Sequence, residues 1–156
     1  MFSTETTKCS CGCGKCGFNP CDVTCSNPVR SFGDYAYIYN TTAQTVAENA
    51  AFTFSANGPL SGSITHTAGT ENIVINKTGV YLITFYAVTE TADVEIAHYK
   101  NSLPVQGGNY SSQYGQVILS AQTGDIITVV NTGGAPIDLI SDAGAVNASI
   151  TIVRLF

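Results

Sequence analysis

Six cysteines, Cys9, Cys11, Cys13, Cys16, Cys21 and Cys25, crowd into residues 9–25, and no other stretch of the chain carries one. Three chemistries compete for them. Thiolates at Cys13 and Cys16 have the C-x2-C spacing of a zinc knuckle, and Cys9, Cys11, Cys13 and Cys16 together could wrap one tetrahedral ion. No second pair follows at finger spacing, however, and neither His66 nor His98 is near in sequence. Intrachain disulfides are the second option, with 15 connectivities open to six cysteines, but Cys9, Cys11 and Cys13 stand too close together to pair easily with one another. Interchain disulfides are the third and are favoured, because this stretch has no core of its own. Gly12, Gly14, Gly17, Pro20 and Pro28 interrupt it and no hydrophobic periodicity runs through it. Residues 1–30 therefore read as an irregular connector arm, and residues 31–156 as the folded domain. All six thiols are expected to cross-link, with no bound metal and no cofactor.

The remaining polar residues offer little catalysis. A general base needs a nucleophile or a paired acid within hydrogen-bond reach, and no such constellation surrounds His66 or His98, although the two could be neighbours across strands. Asp93 with Glu95, and Asp138 with Asp142, are carboxylates that could bind calcium; solvated charges are their ordinary role. Four Asn-X-Ser/Thr matches, at Asn40, Asn76, Asn109 and Asn147, are expected by chance in a chain this rich in those residues. No enzymatic activity is expected.

Composition narrows the partners. The net charge is −5 and charged residues make up only 11% of 156 residues, well under the roughly 25% of an average domain. Six scattered basic residues cannot form the cationic stripe that nucleic-acid phosphates require. No run approaches the ~18 apolar residues of a membrane helix. Met1–Lys8 has no hydrophobic segment of the kind found in a secretory signal, so synthesis in a reducing cytosol is expected. Thiols made there would stay free until the cell lyses.

From Asp34 onward the chain alternates short β-branched and aromatic runs with turn signals. The expected strands are 35–39, 51–54, 63–66, 73–75, 78–88, 93–99, 116–119, 126–130, 137–140 and 148–153. Turns are expected at Asn57-Gly58-Pro59, Gly124-Asp125 and Thr132-Gly133-Gly134, and a loop through Pro104 and Gly107-Gly108. The longest run, Thr78–Val88, carries Tyr81, Ile83, Phe85 and Ala87 on one face and Val80, Leu82, Tyr86 and Val88 on the other. Two apolar faces need cover on both sides. One reading is a central strand covered by the chain's own loops; the sharper reading gives one face to a sandwich core and the other to a subunit interface. Such an array of strands is an all-β antiparallel jelly-roll sandwich.

The run Thr78–Phe85, the later Gly124–Val129 and the C-terminal Ala148–Val153 resemble three strands of the TNF-like jelly roll of complement globular heads. They are more similar still to the C-terminal heads of collagen-like glycoproteins on the exosporium of Bacillus spores. The resemblance covers about residues 33–156. It implies a homotrimer with an aromatic first strand, Tyr35-Ala36-Tyr37-Ile38-Tyr39, near the three-fold axis. Tyr35, Tyr37, Tyr39, Tyr81, Ile83 and Phe85 are the interface candidates. No Gly-X-Y stalk precedes the domain; the cysteine arm stands there instead, similar in style to the N-terminal connectors of endospore appendage subunits. Because residues 31–156 lack cysteine, any disulfide must join arm to arm or arm to another protein, such as an anchoring exosporium protein. The expectation is a structural subunit of a spore-surface fibre or appendage, made in the mother cell and outside the cell after release. The competing reading is an adhesive or ligand-binding trimeric head anchored by the arm.

Overall fold

The computed structural model describes residues 33–140 and 142–156. The cysteine arm lies outside the described residues, as do the expectations placed on Cys9, Cys11, Cys13, Cys16, Cys21 and Cys25. Twelve strands and, among the described residues, no helix make up the domain. In chain order they are β1 (Tyr35–Asn40), β2 (Thr45–Val46), β3 (Ala56–Leu60), β4 (Ile64–His66), β5 (Ile73–Ile75) and β6 (Gly79–Ala87). There follow β7 (Ile96–Lys100), β8 (Leu103–Tyr110), β9 (Tyr114–Ala121), β10 (Ile126–Asn131), β11 (Ile137–Asp138) and β12 (Ala148–Arg154). Two five-stranded antiparallel sheets, β3-β1-β12-β6-β9 and β4-β5-β10-β7-β8, form the sandwich, and β11-β2 is a short side ribbon.

Period-two alternation explains the sandwich. On β6, Tyr81, Ile83, Phe85 and Ala87 are fully buried, and on β12 Ala148, Ile150 and Ile152 join them. Ile73, Ile75, Ile96, Ile127 and Val129 face them from the other sheet. Between the sheets run Phe52 and Phe54, whose rings meet Phe85 at 4.8 Å and 6.5 Å. Each such aromatic stabilises the fold by roughly 1.5–3 kcal/mol on burial. The segment holding them is not the strand expected at 51–54. Isolated bridges, Ala51 to Val130 and Phe54 to Thr70, tie it to its neighbours, and between them the Gln44 side-chain amide, not a ladder partner, accepts from the Thr53 N–H at 3.2 Å and donates to the Thr53 carbonyl at 3.1 Å.

Two expected breaks are strands instead. Asn57-Gly58-Pro59 lies within β3, and Pro104 with Gly107-Gly108 within β8. Both strands are sheet edges, where a proline's missing N–H costs no ladder bond. Gly58 is needed because a side chain there would meet the Tyr37 ring at 2.7 Å. Conversely, the strand expected at 93–99 begins only at Ile96, since Asp93 sits at a positive φ of 55°. The strand expected at 137–140 ends at Asp138.

Gly79 opens β6 at the point where the chain's last residues cross it. A Cβ there would lie 2.2 Å from the Phe156 carbonyl oxygen and 2.4 Å from Arg154 Nε. Gly79→Ala should therefore lower unfolding stability by about 1–3 kcal/mol. Gly62→Ala, whose Cβ would meet nothing within 4 Å, should stay within about 0.5 kcal/mol of the parent. Equal losses in a urea titration would show that the β6–β12 junction yields freely.

Candidate functional site: the uncharged sheet face

The outward face of the first sheet is built by strand register. Opposed residues of an antiparallel pair share a face with Cβ atoms ~5 Å apart, so the pairings lay out three rows across four strands. The first is Tyr35, Val153, Leu82 and Ile118; the second is Tyr37, Thr151, Thr84 and Gln116; the third is Tyr39, Ser149, Tyr86 and Tyr114. None of these residues carries a charge. Four of them, Tyr35, Tyr86, Tyr114 and Ile118, are large hydrophobic side chains between 44% and 61% exposed. The rings of Tyr37 and Tyr39 stack at 5.4 Å. Gln116 Nε2 donates to Thr84 Oγ1 at 3.1 Å and to Tyr114 Oη at 3.2 Å.

Three of the six interface candidates, Tyr35, Tyr37 and Tyr39, stand on this face. Tyr81, Ile83 and Phe85 do not: each is fully buried in the protomer's own core, which corrects their placement. The two apolar faces of β6 were legible, but the one carrying the larger side chains turns inward, where Phe52 and Phe54 need partners. The outward set is Leu82, Thr84 and Tyr86. Val153, Ile118 and Tyr114 complete the patch and were not singled out, because Ile118 stands in the apolar run Val117-Ile118-Leu119 and Val153 beside Ile152, where alternation gives no signal.

Apart from Glu71, which lies beside Tyr99 and Thr128 of the second sheet, the described charges are sorted to the two ends of the sandwich. At the end where β1 starts, Lys77 and Arg154 reach Asp34 at 3.3 Å and 3.2 Å, and Lys100 reaches Asp125 at 3.5 Å. A Ser63 hydrogen bond, with help from Lys77 and Arg154, holds the Asp34 carboxyl below its ordinary range. The Gln122 backbone N–H and the Asn101 amide, and then Lys100, do the same for Asp125. At the opposite end Glu48, Glu90, Asp93, Glu95, Asp138 and Asp142 are all exposed. Among the described residues none of the six forms a salt bridge. Thr45 Oγ1 donates to Asp138 at 2.5 Å. Among the described residues no group of three or more metal-ligating side chains forms.

The histidines are not neighbours. His66 is on β4 and His98 on β7, with β5 and β10 between them. His66 Nδ1 lies 2.6 Å from Asn57 Oδ1 and Nε2 lies 3.0 Å from the Thr70 carbonyl oxygen. His98 is fully buried, with Nδ1 3.4 Å from the Gly108 carbonyl oxygen and Nε2 without a partner among the described residues. Its ring packs edge-on to Tyr110 at 5.9 Å and lies over Gly115, where a Cβ would come within 3.1 Å of it. The four sequons divide as well: Asn40 and Asn147 are buried, with Asn40 Nδ2 donating to Asn147 Oδ1 at 2.8 Å.

No protein-family model and no curated protein matches the chain. Solved structures do. The globular domain of zebrafish complement 1qA superposes with a TM-score of 0.61 at 13% identity, over 79% of this chain and 98% of that one. Eiger TNF from S. frugiperda gives 0.59 at 17% identity, over 79% and 92%. Murine APRIL gives 0.50 at 14% identity, over 78% and 98%. The fold is the TNF-like jelly roll. At these identities the likeness speaks for architecture, and the jelly roll expected from the strand pattern is the one found.

Burial lowers the His98 pKa from 6.5 to about 4, against the small opposing effect of the Gly108 carbonyl. A base whose folded pKa is depressed contributes stability that is whole above pH 6.5 and is lost as pH falls to about 4. The loss amounts to about 3 kcal/mol. Unfolding free energies measured at pH 7 and pH 4 should fall by about that much more in the parent than in His98→Leu. An identical fall in both would show that His98 stays neutral or finds a partner on protonation.

Proposed function

We propose that this protein is a structural subunit that assembles as a jelly-roll homotrimer through the uncharged face of β1, β12, β6 and β9. Trimers are then joined through the N-terminal cysteine arm into a fibre or layer on a bacterial spore surface. The observation that carries the self-association is the face itself. Three rows of tyrosine, leucine, isoleucine, valine and small polar residues stand in the open, while every charged side chain of the two sheets lies off them. Copies brought together on such a face meet no like-charge repulsion and bury aromatic area, the usual make-up of an interface core. The complement 1qA globular domain and the two TNF-type structures share the architecture that presents this sheet.

The ends support stacking in one sense. Six unpaired carboxylates at the loop end repel a second loop end, whereas the other end carries all three described cations, Lys77, Lys100 and Arg154. Covalent linkage falls to the arm, since residues 31–156 lack thiols. The spore-surface setting rests on the likeness of that arm to endospore connectors and of the domain to exosporium heads. A second reading, a trimeric head that binds a ligand, is favoured by the acidic loop end, which is exposed and has no salt-bridge partner among the described residues.

Light scattering on the full chain under reducing conditions should give three times the 16.3 kDa monomer mass; a monomer at micromolar concentration would refute the trimer. Under oxidising conditions, assemblies should survive boiling in detergent until a reductant is added. Replacing all six cysteines by serine should leave assembly possible but remove that resistance. Equal resistance in the all-serine protein would leave the arm without its cross-linking role.

A further inference from the structure

The outward face of the second sheet carries a cleft that the trimer reading does not use. It opens where β10 changes partners along one edge: β5 pairs with it at Ile126 and Ile127, and Ala51 bridges it at Val130. Thr128 and Tyr99, opposed in register on β10 and β7, turn outward there because Ile127, Val129 and His98 turn into the core. Glu71 and Asn72, from the loop before β5, join Asn49 and Ser102 in lining a cavity of about 390 Å³. That lies within the ~300–1,000 Å³ of small-molecule sites. Water ordinarily serves polar side chains on a surface, but two features set this cleft apart. Glu71 is half-buried beside a sheet face, away from the sandwich ends where the other described charges stand, and no cation reaches it among the described residues. Ser102 has a φ of 64°, after Asn101 at 52°, in the two-residue turn joining Lys100 to Leu103. The second position of such a turn is normally glycine. Asn49, with a φ of 60°, is another such residue on the same cleft. Backbone strain of this kind collects at ligand sites.

We propose that this cleft binds a neutral saccharide, seating one pyranose ring. A pyranose shows an apolar C–H face and a rim of hydroxyls that donate and accept at once. Tyr99 supplies the aromatic surface for the first. For the second, Glu71 accepts from hydroxyls, the amides of Asn49 and Asn72 both donate and accept, and the Ser102 and Thr128 hydroxyls do the same. Other ligand classes use the lining poorly. An anion meets no cation there, and Glu71 repels it. A divalent metal finds a single carboxylate. An apolar ligand finds only Ala51 and Val130 besides Tyr99. A small amine pairs with Glu71 and leaves the amides and hydroxyls idle. The inference stands apart from the trimer reading, because the cleft and the face of β1, β12, β6 and β9 lie on opposite sides of the sandwich. Copies meeting on that face leave the cleft open.

The test is saturation-transfer NMR on the full chain, reduced and at neutral pH. The probes are the methyl glycosides of glucose, galactose, mannose and N-acetylglucosamine, with the methyl glycoside of sialic acid and n-butylamine beside them. At least one neutral glycoside should bind at millimolar concentration, and neither the sialoside nor the amine should. Glu71→Gln, which keeps the side chain's shape, should weaken that binding by about tenfold or more. Tyr99→Leu should do the same, and Gln106→Ala, exposed on β8 and outside the cleft, should bind like the parent. The inference is wrong if no neutral glycoside binds, if the amine or the sialoside binds in their place, or if Glu71→Gln binds as the parent does. Should Tyr99→Leu not fold, Glu71→Gln decides alone. A monomeric chain that still bound the glycoside would overturn the trimer and keep the cleft, which separates the two failures.

Discussion

Two-sided pairing of β6 is the constraint on which the rest of this domain depends. Seven residue pairs hold it to β12 and eight to β9, and the same registers decide which of its faces is core and which is surface. A slip by one residue would exchange Tyr81, Ile83 and Phe85 for Leu82, Thr84 and Tyr86 in the interior. Thr84 would then bring a hydroxyl under Phe52 and Phe54, and Phe85 would lie in water. The glycine at its start and the crossing of Arg154 over that glycine pin the register at one end. At the other, Val88 N–H donates to the Asn147 carbonyl at 2.7 Å. Because β1 reads its register from β12, the tyrosines of the first strand are placed by β6 as well, although they never pair with it.

That dependence explains how a broad uncharged face arises from strand register alone. The residues that make the outward patch come from four strands far apart in sequence, 35–39, 82–86, 114–118 and 149–153. Only register brings them into rows. Electrostatics then act by exclusion. Apart from Glu71 beside the second sheet, the described charges stand at the sandwich ends, paired at one and unpaired at the other, leaving the face of the first sheet free of them.

Much of this was legible in the chain. Strands 35–39, 73–75, 78–88, 126–130 and 148–153 follow from runs of β-branched and aromatic residues bounded by turn signals. The turn at Gly124-Asp125 follows from Gly124, which adopts a φ of 94°. What failed was local punctuation read without sheet position: Pro59 and Pro104 signal breaks in the middle of a sheet but are admissible on its edges, and edge status is a property of the whole topology. The inverted assignment of Tyr81, Ile83 and Phe85 has a similar origin. Period two divides β6 into two faces but does not say which one the core receives. That choice is made by Phe52 and Phe54, thirty residues earlier, in a segment that is hardly a strand at all.

The same layout separates what acid does to the fold from what it does to the face. None of the twelve residues in the three rows is a carboxylic acid, an amine or an imidazole, so acidification changes no charge on this face. The buried imidazole of His98 is elsewhere, in the second sheet and under Gly108, Gly115 and Tyr110. Protonating it penalises the packing of β7 and β8 against Gly115 at the start of β9. Acid therefore weakens this protein through the fold of the domain, by way of His98. An assembly whose faces bury the first sheet would in turn resist acid better than an isolated protomer, because association stabilises the folded state by mass action while its own interface has no proton to bind.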